Sequence, residues 1–121
     1  SVSGQAETLY NSNIAYYTQR NTLPTGLVSG YTYTADGAVM QNVISDLANA
    51  GELKADFYNL AGSAKLSKII VTIPNPEGLV VCYAPESKAF RNDQYTRYGS
   101  TGNSLVGAGC PGSVGCYQCF K

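Results

Sequence analysis

Four cysteines, Cys82, Cys110, Cys116 and Cys119, are the most reactive side chains in the sequence. A thiol can act as a nucleophile, hold a metal or pair in a disulfide, and its surroundings decide which. Nucleophilic work needs an activating base or a depressed pKa. The chain has no histidine, which removes Cys-His and Ser-His pairs together with every imidazole metal ligand. Cys116 and Cys119 leave the two-residue gap of a zinc knuckle, so a site of four thiolates competes. Cys82 and Cys110 lie 28 positions apart, however, so the second knuckle is missing. An even number of cysteines in a Gly-rich, charge-poor chain of exported character reads instead as two disulfides.

The eight carboxylates are scattered, with no pair at the spacing of an acid–base dyad. No Gly-rich phosphate loop joins a strand to a helix. The expectation is a protein that is not an enzyme and holds no cofactor or metal. One stretch has the residue types of a binding surface. Lys88, Arg91 and Arg97 interleave with Phe90, Tyr95 and Tyr98. Cations contact phosphates and aromatic rings stack on bases. Asp93 offsets one of these charges, and three cations supply a small counterion-release effect. A solvated loop with inward-packed aromatics is the simpler reading. Lys88, Arg91, Tyr95, Arg97 and Tyr98 are the candidate surface residues.

The frame that positions these groups is one domain of 121 residues. Apolar residues make up 44%, enough for a core, and charged residues only 13%, about half the usual share. Lys plus Arg equals Asp plus Glu, which argues against nucleic-acid binding through bulk charge and against a polybasic membrane patch. Ten tyrosines and three phenylalanines argue against disorder. No apolar run reaches membrane-spanning length, and no secretory signal is present. The start at Ser1 points to a mature or truncated product with an upstream segment missing.

Ala6, Leu9, Tyr10, Ile14 and Tyr17 recur at helical spacing, so residues 6–20 read as an amphipathic helix that stops ahead of Pro24. A short strand is expected near 30–34. A second helix is expected over about 36–50, with Asp36 as N-cap. Its apolar face is Val39, Met40, Val43, Ile44 and Leu47, and Gly51 lies just past its end. Residues 66–73 and 79–84 read as strands joined by a Pro-Asn-Pro-Glu-Gly turn, short enough to require antiparallel pairing. A third strand is expected from 95–98 or from 115–120. Residues 99–120 hold six of the 13 glycines and no charge, so this segment needs crosslinks to keep a shape.

An amphipathic helix first, then a loop, an antiparallel sheet and a Cys-tied tail: this order resembles the type IV pilins and the related pseudopilins. Residues 6–20 followed by Asn21-Thr22-Leu23-Pro24-Thr25-Gly26 are similar to the end of a pilin helix leading into its loop. Residues 39–53 are similar to the short helix that many of these proteins place in that loop. The resemblance covers nearly the whole chain as an order of elements. The basic leader, the cleavage-site Gly, the early Glu and the apolar half of the helix lie outside it. The resemblance implies an α+β fold with the helix stripe Ala6, Leu9, Tyr10, Ile14 and Tyr17 docked on the sheet. It also implies a tail tied by disulfides. Four cysteines depart from the commoner two and allow three pairings; Cys110 with Cys116 and Cys82 with Cys119 is the preferred one.

The implied function is a structural subunit, major or minor, of a bacterial pilus or related filament serving adhesion, twitching motility or DNA uptake. Its implied partners are copies of itself, other pilins and the assembly machinery, and at filament level a host surface or DNA. The missing apolar helix would sit first in the inner membrane and later in the filament core, with the heads extracellular on the cell surface. The alternative is a secreted, disulfide-stabilised module that recognises a glycan or a protein through Tyr31, Tyr33, Tyr95 and Tyr98. A DNA-receptor version would use Lys88, Arg91 and Arg97.

Overall fold

The first helix, α1 (Val2–Arg20), starts where Ser1 caps it: the Ser1 hydroxyl accepts the Gly4 N–H at 3.1 Å. The cap moves the start four residues ahead of the expected one. The helix ends at Asn21, whose left-handed backbone (φ 57°) lets its N–H donate to the Tyr17 carbonyl at 2.7 Å. This computed structural model describes residues 1–76, 78–85, 92, 95–99, 101–104, 106, 109–111 and 115–121.

The remaining elements are β1 (Thr32–Thr34), α2 (Ala38–Asn49), α3 (Phe57–Ala61), α4 (Ser63–Leu66), β2 (Ile69–Thr72), β3 (Val80–Tyr83) and β4 (Gln118–Phe120). The fold is α+β, and the described residues form a four-stranded sheet in the order β1-β2-β3-β4 with every pair antiparallel. The β2–β3 hairpin pairs Ile70 with Cys82 and Val71 with Val81, and Gly78 closes its turn onto the Asn75 carbonyl at 3.0 Å. The C-terminal strand comes from the 115–120 segment. Tyr98 adds a single antiparallel bridge to Tyr117 just ahead of β4, with N–H···O bonds of 3.1 and 2.8 Å.

In α2, Met40, Val43, Ile44 and Leu47 are buried. Its N-cap is Gly37, in extended backbone, and not Asp36. The Asp36 side chain makes no cap; the backbone carbonyl of Asp36 accepts from Gln41 Nε2 and the Tyr58 hydroxyl instead. At the other end Gly51 (φ 80°) donates to the Ala48 carbonyl and Glu52 to the Leu47 carbonyl. This paired bonding is what a left-handed residue after a helix makes possible. Two short helices, unforeseen in the sequence, follow. Leu66 ends α4 fully buried, so the expected strand over 66–73 begins only at Ile69.

The sheet has two differently covered faces. Ile69, Val71 and Val81 share one core with Val2, Ala6 and Leu9 of α1 and the buried row of α2. Strand alternation turns Val80 and Cys82 to the other face. There the C-terminal segment lies close: a Cβ on Gly102 (φ 81°) would stand 2.9 Å from a Val80 methyl. Only glycine admits that approach.

Candidate functional site

α1 is bound to the sheet through a row of Val2, Ala6, Leu9 and Asn13, all fully buried, continued by the half-buried Tyr16. Steps of four, three, four and three residues keep this row on one side of a helix of 3.6 residues per turn. Of the expected stripe, Ala6 and Leu9 belong to the row and Tyr10 flanks it. Ile14 does not belong. It lies roughly 120° around the axis from the row and is 39% exposed. Tyr17 is half-buried at the margin. At the inner position Asn13 Nδ2 donates to the Leu9 carbonyl at 2.8 Å, while its Oδ1 is buried without a partner among the described residues; the Ser12 hydroxyl donates to the same carbonyl at 3.0 Å. The Tyr10 ring stands 6.1 Å from the Phe120 ring of β4, which also lies 6.1 Å from the Tyr83 ring. The first helix and the last strand are thereby in direct contact.

Two disulfides join Cys82 to Cys119 and Cys110 to Cys116, with S–S distances of 2.01 and 2.02 Å. Cys82 and Cys119 are direct partners in the β3–β4 register. Their link therefore crosses a pair of strands that are already bonded and closes a separation of 37 residues. The second closes a loop of separation 6 inside the Gly-rich segment. All four sulfurs are engaged, which leaves no thiolate for the four-cysteine metal arrangement. Two disulfides fit an oxidising compartment. No helix among the described residues is long and apolar enough to cross a membrane.

The surface candidates divide. Lys88 and Arg91 lie outside the described residues. Tyr95, Arg97 and Tyr98 come together at the β4 edge. Arg97 Nε donates to the Tyr98 hydroxyl at 3.2 Å, and its guanidinium carbon stands 5.3 Å from the Tyr98 ring centre and 5.7 Å from that of Tyr95. A further cation, not anticipated from sequence, completes the group. Lys121 Nζ lies 4.5 Å from the Tyr98 ring centre and donates to the Gly102 carbonyl at 2.9 Å. Tyr98 thus holds two positive charges by its ring, and one of them by its hydroxyl as well. Behind this group the Tyr83 hydroxyl donates to Gln118 Oε1 at 2.6 Å, and Gln118 Nε2 donates to the hydroxyl of the buried Thr96 at 3.0 Å. The chain of bonds fixes the 95–98 segment to β3 and β4. Proximity of Lys121 to Tyr98 is a product of strand pairing across more than twenty residues, and no local motif announces it.

Tyr31 and Tyr33 lie at the other edge of the sheet. Tyr31 is 61% exposed, whereas the Tyr33 hydroxyl accepts the Val28 N–H at 3.0 Å and so braces the loop ahead of β1. The structure does not bring them near Tyr95 and Tyr98, because β1 and β4 are opposite edges. A cleft of about 480 Å³ opens beside the first turns of α1, between Gln5 and Thr8 on one side and Leu53 and Phe57 on the other. Its wall mixes amide, hydroxyl and apolar groups with one carboxylate, Glu52, and one amine, Lys54. No family model, curated protein or solved structure matches the chain.

Proposed function

We propose that this chain is the globular head of a filament subunit of the type IV pilin or pilin-like class. The observation that carries the reading is the seat of α1. Its 19 residues span about 28 Å, with one row buried in the core and the opposite side, including Gly4, Glu7, Thr8 and Asn11, open to solvent. A helix embedded along half its girth suits a subunit whose other helical face meets neighbours. In this reading α1 continues upstream into an apolar segment, held first in the membrane and later in the filament core. Heads stack head-to-tail, the arrangement that yields open helical filaments. Two disulfides suit a head that works outside the cell, where unfolding cannot be repaired by chaperones. Copies of the same chain, other pilins and the assembly machinery are the partners.

The test is the gene upstream of the codon for Ser1. A short basic leader, a Gly and then about 25 mostly apolar residues with an early Glu support the proposal. An ordinary cleavable signal peptide overturns it. The exported binding module then takes its place, favoured by the Tyr95, Arg97, Tyr98 and Lys121 group at the β4 edge. Binding of the chain to a defined set on a glycan array supports that second reading, and silence across a broad array removes it.

A further inference from the structure

The net charge of zero hides a division. Residues 1–56 carry five carboxylates, Glu7, Asp36, Asp46, Glu52 and Asp56, against Arg20 and Lys54. Residues 57–121 carry six cations against three carboxylates. The halves are therefore −3 and +3; residues 46–56 hold Asp46, Glu52 and Asp56 against the single cation Lys54, and among the described residues Arg97 and Lys121 come together at Tyr98. Asp36 follows β1, while Asp46 and Glu52 belong to the last turns of α2 and the residues just beyond it. That helix packs against β1, at one edge of the sheet. Arg97 and Lys121 stand on Tyr98 beside β4, at the other edge. Three inter-strand spacings, about 14 Å, separate the edge strands themselves.

Two like charges on one ring are an unfavourable arrangement in isolation. Among the described residues no carboxylate bonds either of them; their partners are a tyrosine hydroxyl, tyrosine rings and one backbone carbonyl. Among the described residues Arg97 donates one hydrogen bond, from Nε, which fixes the plane of a fork whose other donors suit a carboxylate. We propose that the Arg97–Tyr98–Lys121 edge of one copy docks on the acidic α2 edge, Asp46 and Glu52, of a second copy. Charge complementarity singles out the occupant: the chain itself presents the opposite sign on the opposite edge. Because the two patches differ, the contact is heterologous and leaves a free patch at each end of every oligomer, so it propagates. This inference rests on the filament reading and supplies it with a lateral contact between heads. The contact carries orientation and register more than affinity, as charge pairing at an exposed surface does.

The experiment is a charge exchange read by sedimentation of the chain at about 1 mM protein in roughly 20 mM salt. The unaltered chain self-associates, and about 0.5 M salt abolishes this. R97E/K121E makes both edges acidic; D46K/E52K makes both edges basic. Each variant alone loses self-association by about tenfold or more, while an equal mixture regains it as an alternating oligomer. Lysines at the C-terminal end of α2 favour its dipole, so the second variant keeps its fold, and far-UV circular dichroism verifies both variants. The inference is overturned if the unaltered chain stays monomeric, if either variant associates undiminished, or if folded variants fail to rescue one another. A mixture that stays monomeric while R97E/K121E loses binding to single-stranded DNA or to an anionic polysaccharide reassigns the patch to that polyanion. None of these results depends on an apolar helix upstream. Failure here leaves the filament reading to the gene, and an upstream signal peptide leaves this contact to the mixture.

Discussion

The two faces of one sheet are held by different physics. On the α1 face, Ile69, Val71 and Val81 meet Leu9, Met40 and Leu47, each fully buried, and burial of such side chains contributes roughly 1.5–3 kcal/mol apiece. On the other face the described residues of the Gly-rich segment bury Cys110 and Cys116 but no large aliphatic side chain. Gly102 lies against Val80 because it lacks a side chain, and the segment is fixed by two disulfides and single bridges at Tyr98, Ser104 and Val106. Among those residues covalent links stand where the α1 face has apolar area, and they act by limiting the unfolded chain. The difference predicts that each face fails on a different insult.

Removing the Cys82–Cys119 link is the largest of these insults. The loop it closes implies about 4 kcal/mol by the chain-entropy relation. The double variant C82A/C119A therefore melts roughly 15 °C lower, read by circular dichroism. Hydrogen exchange should show the amides of β4 and of 95–99 losing protection before those of α1 and α2. Uniform loss across both faces would break the comparison.

Leu9→Ala attacks the other face. Leu9 is fully buried in the shared core, and truncations of this kind cost about 3 kcal/mol. The expected signature is the reverse of the first: protection falls throughout α1, α2 and β3, and the melting loss persists in reductant. A melting point within a degree or two of the parent would remove α1 from the core.

The parts of the fold that could be read along the chain are those whose side chains speak for themselves. Ile69 to Thr72 and Val80 to Tyr83 are dense in β-branched residues, and a tight turn between them forces the antiparallel hairpin. The α2 row of Met40, Val43, Ile44 and Leu47 is a plain helical repeat. α3 and α4, five and four residues long, are too short to show a period and are held by tertiary contact. The inner row of α1 was obscured by Asn13 and Ser12. Both are buried polar residues that bond within the helix, so a search for apolar spacing passes over them and lands on Ile14. Arg97 and Tyr98 declared themselves as neighbours in sequence, whereas Lys121 joins them only when β4 pairs.

Loss of the Cys110–Cys116 link is a smaller insult to the same face. Its loop is short, and the expected cost is about 2 kcal/mol. C110A/C116A should lower the melting point by half as much as the first pair or less. The exchange change should stay within 95–117, with β3 and α1 keeping their protection. Equal destabilisation by the two double variants would mean that the inner loop, and not the strand-crossing link, holds the outer face.

The smallest effect is expected where the two ways of placing the α1 stripe diverge. Ile14 is 39% exposed, so Ile14→Ala removes a side chain that has shed only part of its contact with water. Alanine also forms helix more readily than a β-branched residue, by a few tenths of a kcal/mol. The two effects oppose, and the net change should stay within about 0.5 kcal/mol. Measured by denaturant titration beside Leu9→Ala, it separates the rows without reference to function. A loss near that of Leu9→Ala would put Ile14 in the core and rotate α1 by about a third of a turn. A negligible loss leaves Ile14 on the outer side of the helix, where the filament proposal needs side chains free to meet a neighbouring copy. The same variant then tests that role: under the filament proposal it leaves the fold intact and weakens only assembly.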